Sequence, residues 1–439
     1  MLNIPTSDQA EGVIIAILLI ALVLMWSLRR FQSRRPGLLI GGAFAVALGL
    51  RLLAVVAIDA TGLGASLRGG DEVTFLDWAK TLAATPLGHG YLPHGIYQLQ
   101  TVLFALQIKL GFMDVTAIRV TQIGIALLGT MFMCAAVYDL AGARAARLAA
   151  WCLAFEPASM FFNSEIHKES LLELSAGLIA FGGVWMWKRL DVRGILICSL
   201  GCLIAVETRS YEGWFLACGV ALMILHASLR HMRHTQRGLP FIYAIVIAAM
   251  VLGPTLYAST GGTNLSRLQA SDAANASGVT EGGVGAANQA NLALEQVDVS
   301  TRAGVITSLP TKIRELLLEP YPWQLHDASQ MFGALGTLVA YAVMILLIRY
   351  AWLSRGTIFG RAGPLLYPLL LSLLAYSITV GNAGTGFRYR SHLVTLGICA
   401  LAVLRADFLE KRTGTAASAS TQQHSSQLVV HPVTALSFS

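Results

Sequence analysis

Long apolar runs separated by short charged or glycine-rich connections make up most of the chain. Residues 12–28, 38–58, 194–206, 241–256 and 365–380 carry almost no charge. Several approach the ~20 residues that a hydrocarbon core of about 30 Å demands. They predict membrane spans rather than helices of a soluble core. The run 12–28 is followed by no small-residue cleavage site and by further spans, so it predicts a retained helix and not a cleaved leader. The run 96–112 has a different pattern. Gln98, Gln100, Gln107 and Lys109 interrupt it, while Ile96, Leu99, Leu103, Leu106 and Leu110 share one helical stripe. That pattern predicts an amphipathic helix lying on the membrane.

Composition agrees with the runs. Of 439 residues 55% are hydrophobic and 13% charged, and the mean hydropathy is +0.63, which excludes an ordinary soluble domain. The net charge of +7 is dispersed over short loops and forms no patch suited to nucleic acid, so anionic lipid headgroups are the expected partners. Six cysteines all fall in apolar segments without a C-x-x-C pair, and they predict neither a disulfide nor a zinc site.

Lys and Arg gather in cytoplasmic loops. Basic clusters at 29–35, 144–147, 188–193, 230–237, 349–361 and 405–412 therefore face inward, and strict alternation closes only if 96–112 does not cross. The reading is an all-α polytopic protein of a bacterial inner membrane, with about eleven transmembrane helices, an external N-terminus and an internal C-terminus. Residues 1–410 form one transmembrane domain, and 411–439, rich in Ser, Thr, Ala and Gln, form a disordered cytoplasmic tail. Segments 59–113, 163–168, 207–212, 259–330 and 381–391 then face the periplasm, where an active site would lie. In the fourth of these, 261–291 reads as a flexible lid and 310–323 as an ordered element at the membrane surface. No internal repeat is evident.

The densest chemistry is Gly69-Gly70-Asp71-Glu72, two adjacent carboxylates shortly after a span. Asp71, Phe75 and Ala79 share one helical face at i, i+4 and i+8, so a helix beginning here holds Asp71 near its positive end, which favours the ionised form. A general base is the functional reading. A helix cap with solvated acids is the alternative.

This segment resembles the GT-C superfamily of membrane glycosyltransferases, including the protein O-mannosyltransferases and aminoarabinose transferases. These use polyprenyl-phosphate-linked sugars. In that family a D-E-x-x-[YF]-x-x-x-A segment opens the first large external loop, and Asp71-Glu72, Phe75 and Ala79 match it. The family then has a surface helix, a span beginning near an Arg (here Arg119), a short basic turn (here residues 143–148) and a span carrying a proline (here Pro157). The resemblance covers roughly the first half of the chain. The chain departs from it in having the span 12–28 ahead of the helix that leads to Asp71.

The resemblance implies that Asp71, with Glu72 beside it, accepts the proton of an acceptor hydroxyl as it attacks the anomeric carbon. Inversion and departure of a lipid phosphate follow. A glycan, a lipid or a protein would be the acceptor. The leaving phosphate needs cations, and the external span ends offer Lys168, Arg209, Arg388 and Arg390. Lys168 stands at a helix N-terminus, the end a cation disfavours, and Glu165 and Glu169 are equally able to neutralise it. Arg209 has Glu207 and Glu212 as alternative partners, and the glycines around Arg388 and Arg390 suit an anion as well as a headgroup. Glu156, before Pro157 inside a span, is either functional or bonded to backbone that the proline frees. Tyr321 and Trp323 read as an aromatic belt or as a closure over the lipid donor. No cofactor is required by these residues. A divalent cation is compatible with a phosphate donor, but His89, His94 and His326 match no ligand spacing.

Two other functions fit the same pattern less closely. One is a polysaccharide polymerase or ligase resembling the O-antigen polymerase family, which would rest on Arg209, Arg388 and Arg390 without Asp71. The other is a carrier of lipid-linked sugar, for which midplane charges and repeats are expected.

Overall fold

The computed structural model describes residues 7–61, 71–86, 98–235, 302–319, 321, 323, 328–380 and 383–427. Among them the chain is helical, with no strand. Eight helices are long and apolar enough to cross a membrane, so this is an all-α, multi-pass membrane protein.

Helices α1 (Ser7–Ser33) and α2 (Gly41–Thr61) both pack on the long helix at residues 115–154. Gly37 turns the chain between them with φ of 74°. Arg35 in this turn forks onto Asp139, Nε to Oδ1 at 2.9 Å and Nη2 to Oδ2 at 2.6 Å. Short helices α3 (Asp71–Ala84) and α4 (Gln98–Lys109) pack on each other. Helix α5 (Val115–Ala154) begins at the Asp114 cap and is broken at Gly142, whose φ of 79° a side chain would resist. Beyond it, α6 (Pro157–Phe162) is capped by Glu156, which accepts the amides of Ala158, at 3.1 Å, and Ser159. Glu156 thus takes the second of its two expected roles, holding the backbone at the proline.

Helices α7 (Glu169–Arg189), α8 (Val192–Thr208) and α9 (Ser210–Thr235) follow with connections of two residues and one. After α10 (Arg302–Leu318) come α11 (Ala328–Leu353), α12 (Ile358–Thr379) and α13 (Ala383–Gln427). Helix α13 continues past Thr413, where composition predicted an end to ordered structure. The segments 241–256 and 261–291 lie outside the described residues.

Helices α5 and α7 form the centre. They approach so closely that a Cβ on Gly129 would stand 2.5 Å from the carbonyl oxygen of Glu173, and one on Gly177 would meet the backbone of Gly129. Small residues allow such contact, and close packing drives helix association where water cannot. The outer helices expose apolar stripes instead, as in Leu18, Leu22 and Trp26 of α1 and Ile345, Ile348 and Trp352 of α11. Those stripes suit lipid tails.

Helix α4 refines the expected amphipathic helix. At 12 residues it is too short to span, as predicted. Its leucine stripe faces outward, with Leu106 and Leu110 exposed, while Gln100, Thr101, Phe104 and Ile108 turn inward. Gln100 satisfies its amide on the carbonyl of His167 at 3.2 Å, which explains why a glutamine lies inside.

Candidate active site

One end of the bundle gathers most of the residues singled out above. It is built around residues 163–168, which join α6 to α7. Lys168 is the N-cap of α7 and makes no side-chain cap bond, whereas Glu169 follows in the first turn, where the helix dipole favours an anion. Arg209 is a one-residue hinge between α8 and α9, with an extended backbone at φ of −152° and ψ of 91°. This places its guanidinium between two helix starts. Nη2 donates to Glu169 Oε1 at 2.9 Å, and Nη1 lies 3.6 Å from Glu212 Oε2. Arg209 therefore pairs with Glu212, one of its two expected partners, and with a glutamate 40 positions away.

Three tyrosines and a histidine enclose this cation. The Arg209 guanidinium sits 4.8 Å from the Tyr389 ring centroid and 5.9 Å from that of Tyr376, and the two rings stack at 4.4 Å. The Tyr376 hydroxyl donates to Glu212 Oε1 and lies 2.7 Å from His392 Nδ1. Tyr211 and Tyr389 share a hydroxyl contact at 2.5 Å. Glu169, Arg209, Glu212, Tyr376 and His392 are all buried. Glu169 Oε2 makes no hydrogen bond among the described residues, and Arg209 Nη1 and Glu212 Oε2 hold each other only through the 3.6 Å ion pair, so the network keeps acceptor capacity on Glu169.

Arg388 enters from the start of α13. Its Nη1 lies 3.3 Å from His167 Nδ1, and His167 Nε2 lies 2.9 Å from Glu165 Oε2. An arginine can only donate, so Nδ1 is the acceptor and Nε2–H points at Glu165. Arg390 faces elsewhere. It donates to the carbonyls of Glu319, at 2.5 Å, and Gly386, at 3.4 Å, tying α13 to the end of α10. Its Nη1 is buried beside a small cavity of about 20 Å³ walled by Phe161, Phe162 and Thr337.

Helix α3 docks on this same end. Phe75, Leu76 and Ala79 are buried against Phe104, Ile108, Ile118 and Ile166, so the face predicted from the i, i+4 spacing is the inward one. Lys168 Nζ stands 5.5 Å over the Phe75 ring. Glu72 Oε1 accepts from Arg119 Nη2 at 2.6 Å, and Arg119 also pairs with Asp59. Glu72 thereby anchors α3 to α2 and α5. Asp71 is the first residue of α3, and its side chain lies outside the described residues. Tyr321 and Trp323 stack at 4.8 Å with Trp323 exposed, while His89, His94 and His326 are likewise outside the described residues. Among the described residues no three metal-binding side chains converge.

No family model matches the chain, and neither does any curated protein or solved structure.

The sequence reading placed most charges at the rim and passed over a second buried centre. Arg51, in the middle of α2, donates to Ser159 Oγ at 3.0 Å and to the carbonyl of Ala47 at 3.3 Å. Glu173, one helical turn after Glu169, accepts from Thr130 at 2.7 Å and from Asn163 at 2.5 Å. Glu156, Glu173 and Arg51 interact electrostatically across α2, α6 and α7. The signal was present, because an arginine inside an apolar run marks a functional or structural centre by itself. Tyr376 and His392 gave no such signal, since each is an ordinary residue in an apolar helix until its partners are known.

Proposed function

We propose that the chain is a membrane glycosyltransferase that moves a sugar from a polyprenyl-phosphate-linked donor to an acceptor at the α3–α4 end of the bundle. That end faces the periplasm of a bacterial inner membrane in this reading, and the chain crosses about eleven times. Three segments bring the count from eight to eleven: α8 at 17 residues, the part of α5 beyond Gly142 continued by α6, and residues 241–256.

The observation that carries the proposal is the docking of α3 on residues 163–168. It brings the helix that starts at Asp71-Glu72 to the end of the bundle where Lys168, Arg209 and Arg388 converge. An acid for the acceptor and cations for the donor then belong to one site. The Asp71 carboxylate takes the acceptor proton, the acceptor oxygen bonds to the anomeric carbon, and the bond from that carbon to the phosphate oxygen breaks with inversion. The lipid phosphate leaves with the bonding pair. Lys168 and Arg388 are half-buried and serve the phosphate directly, Arg209 is buried and sets the positive field around it, and Arg390 holds the start of α13 in place. Glu165 and Glu169 orient His167 and Arg209, and Trp323 with Tyr321 offers an aromatic edge for the lipid. The chemistry places an envelope glycan, lipid or protein at the acceptor side.

One observation favours a second reading, a polymerase or ligase similar to the O-antigen polymerases. The network of Arg209 with Glu169, Glu212, Tyr376 and His392 is complete without α3. A reaction centred there would not need Asp71.

The test is sugar transfer from a polyprenyl-phosphate donor by the purified protein. Asp71→Asn should lower the rate by roughly 10²–10⁴-fold with donor binding intact, as for removal of a general base. Arg388→Ala should weaken donor binding. Full activity in Asp71→Asn with none in Arg388→Ala would sink the general-base reading and favour the polymerase.

A further inference from the structure

At the opposite end of the bundle an open pocket of about 790 Å³ lies between the ends of α7 and α9 and the start of α12. Its walls include Lys188, Arg230, His231 and Arg361, and among the described residues no carboxylate lines it. Arg361 is already paired with Asp407 at 3.0 Å and Glu410 at 3.5 Å, while Lys188 donates only to the neutral carbonyl of Asp139, so the charge a ligand would meet comes from Lys188 and Arg230, with His231 beside them. Arg230 is held in place by the Gly360 carbonyl at 3.3 Å and by the Trp187 ring at 5.1 Å. Trp187 itself donates to the same carbonyl at 3.2 Å. A basic wall braced on an aromatic one is a built surface, not a set of loose side chains.

Two features point to the ligand. Gly356 and Gly360 would meet nothing within 4 Å if given a Cβ, so backbone lines open space there. From the pocket, exposed Leu225, Leu229 and Phe359 continue along α9 and α12 as an apolar track.

We propose that this pocket binds the phosphodiester headgroup of an anionic glycerophospholipid, with its acyl chains lying on the α9–α12 track. The phosphate oxygens meet Lys188 and Arg230, and the glycerol lies against Trp187. A free phosphate shares the headgroup's charge but has nothing to place on Leu225, Leu229 and Phe359, which is why the lipid is the occupant. The site is independent of the glycosyltransferase proposal and survives its failure.

The experiment uses the full chain purified in detergent. Retained lipid is counted by native mass spectrometry after exposure to phosphatidylglycerol, phosphatidylcholine or inorganic phosphate. The chain should retain phosphatidylglycerol over phosphatidylcholine. Lys188→Ala with Arg230→Ala should weaken retention by roughly 25- to 30-fold, from about fivefold per basic residue. Gly360→Trp fills the pocket with every charge in place and should also lose the lipid, whereas Gly360→Ala should keep it. Equal retention of phosphatidylcholine, or retention of phosphatidylglycerol by both the double variant and Gly360→Trp, would overturn the proposal. Displacement of the lipid by millimolar inorganic phosphate would overturn the lipid as occupant.

Discussion

Arg209→Met tests whether the buried network is architecture or a reserved ligand site. The substitution keeps most of the side-chain volume and removes the one cation among the described residues that contacts both Glu169, at 2.9 Å, and Glu212, at 3.6 Å. Both carboxylates are almost fully buried, so neither can turn to water. Removing one partner of a buried ion pair costs about 3–5 kcal/mol, because the other is left charged and desolvated. The contact with Tyr389 and Tyr376 adds about 0.5–2 kcal/mol. Glu169→Gln is the informative companion. It leaves Arg209 with Glu212 and should cost less, about 1.5–3 kcal/mol, the worth of one hydrogen bond to a charged group. In the double variant the penalties should not add, since Arg209→Met then strands one carboxylate instead of two. Unfolding in mixed micelles, titrated with a denaturing detergent, measures all four species. If Arg209→Met costs less than about 1 kcal/mol, the network is not what holds α7, α8 and α9 together. A loss of donor binding at full stability would then make Arg209 a ligand cation.

Other expectations follow from the same geometry. Glu72→Gln should destabilise by about 1.5–3 kcal/mol and speed hydrogen exchange in residues 72–84, because the 2.6 Å bond to Arg119 fixes α3. Unchanged exchange there would separate Glu72 from that role. Arg51→Met should cost about 1.5–3 kcal/mol through its lost hydrogen bond to Ser159, read by the same detergent titration; a neutral result would take Arg51 out of the scaffold. Gly177→Ala should cost at least about 1–3 kcal/mol, since its methyl group meets the Gly129 backbone of α5 and the two helices must separate. Recovery of normal stability would show that the crossing relaxes freely.

Much of the architecture was legible because the bilayer restricts it so strongly. A run such as 365–380 has few alternatives to a span, and α4 was recognisable as a non-crossing helix from Gln98, Gln100, Gln107 and Lys109. What was not legible is that α4 turns Gln100 into the protein, where it finds the carbonyl of His167 while Leu106 and Leu110 stay exposed. The partners of the charges were equally hidden. Local rules paired Lys168 with Glu165 or Glu169 and Arg209 with Glu207 or Glu212, and Arg209 does meet Glu212, yet Glu169 meets Arg209 at a separation of 40 and Arg388 meets His167 at 221. Nothing in a one-dimensional pattern encodes such distances.

The two buried centres differ in a way that bears on what each does. Around Arg51 the carboxylates are tightly used: Glu173 accepts from Thr130 and Asn163, and Glu156 accepts two backbone amides. Around Arg209 one oxygen of each glutamate and one guanidinium nitrogen lack a hydrogen bond among the described residues. Leaving such groups unmet in a low-dielectric interior costs free energy. A purely structural cluster would be expected to satisfy them, as the Glu173 cluster does. Arg51 Nε also lacks a hydrogen bond, so the contrast lies in the carboxylates rather than in every atom. Arg209 Nη1 and Glu212 Oε2 stand opposite each other at 3.6 Å as a loose ion pair, and Glu169 Oε2 is left as an acceptor that the hydroxyl of a bound sugar would use in the proposed reaction. Glu212→Gln separates the cases. It should leave stability within about 1.5–3 kcal/mol of the parent while changing the apparent affinity for the donor. A variant that loses stability alone would place the second centre, like the first, in the scaffold.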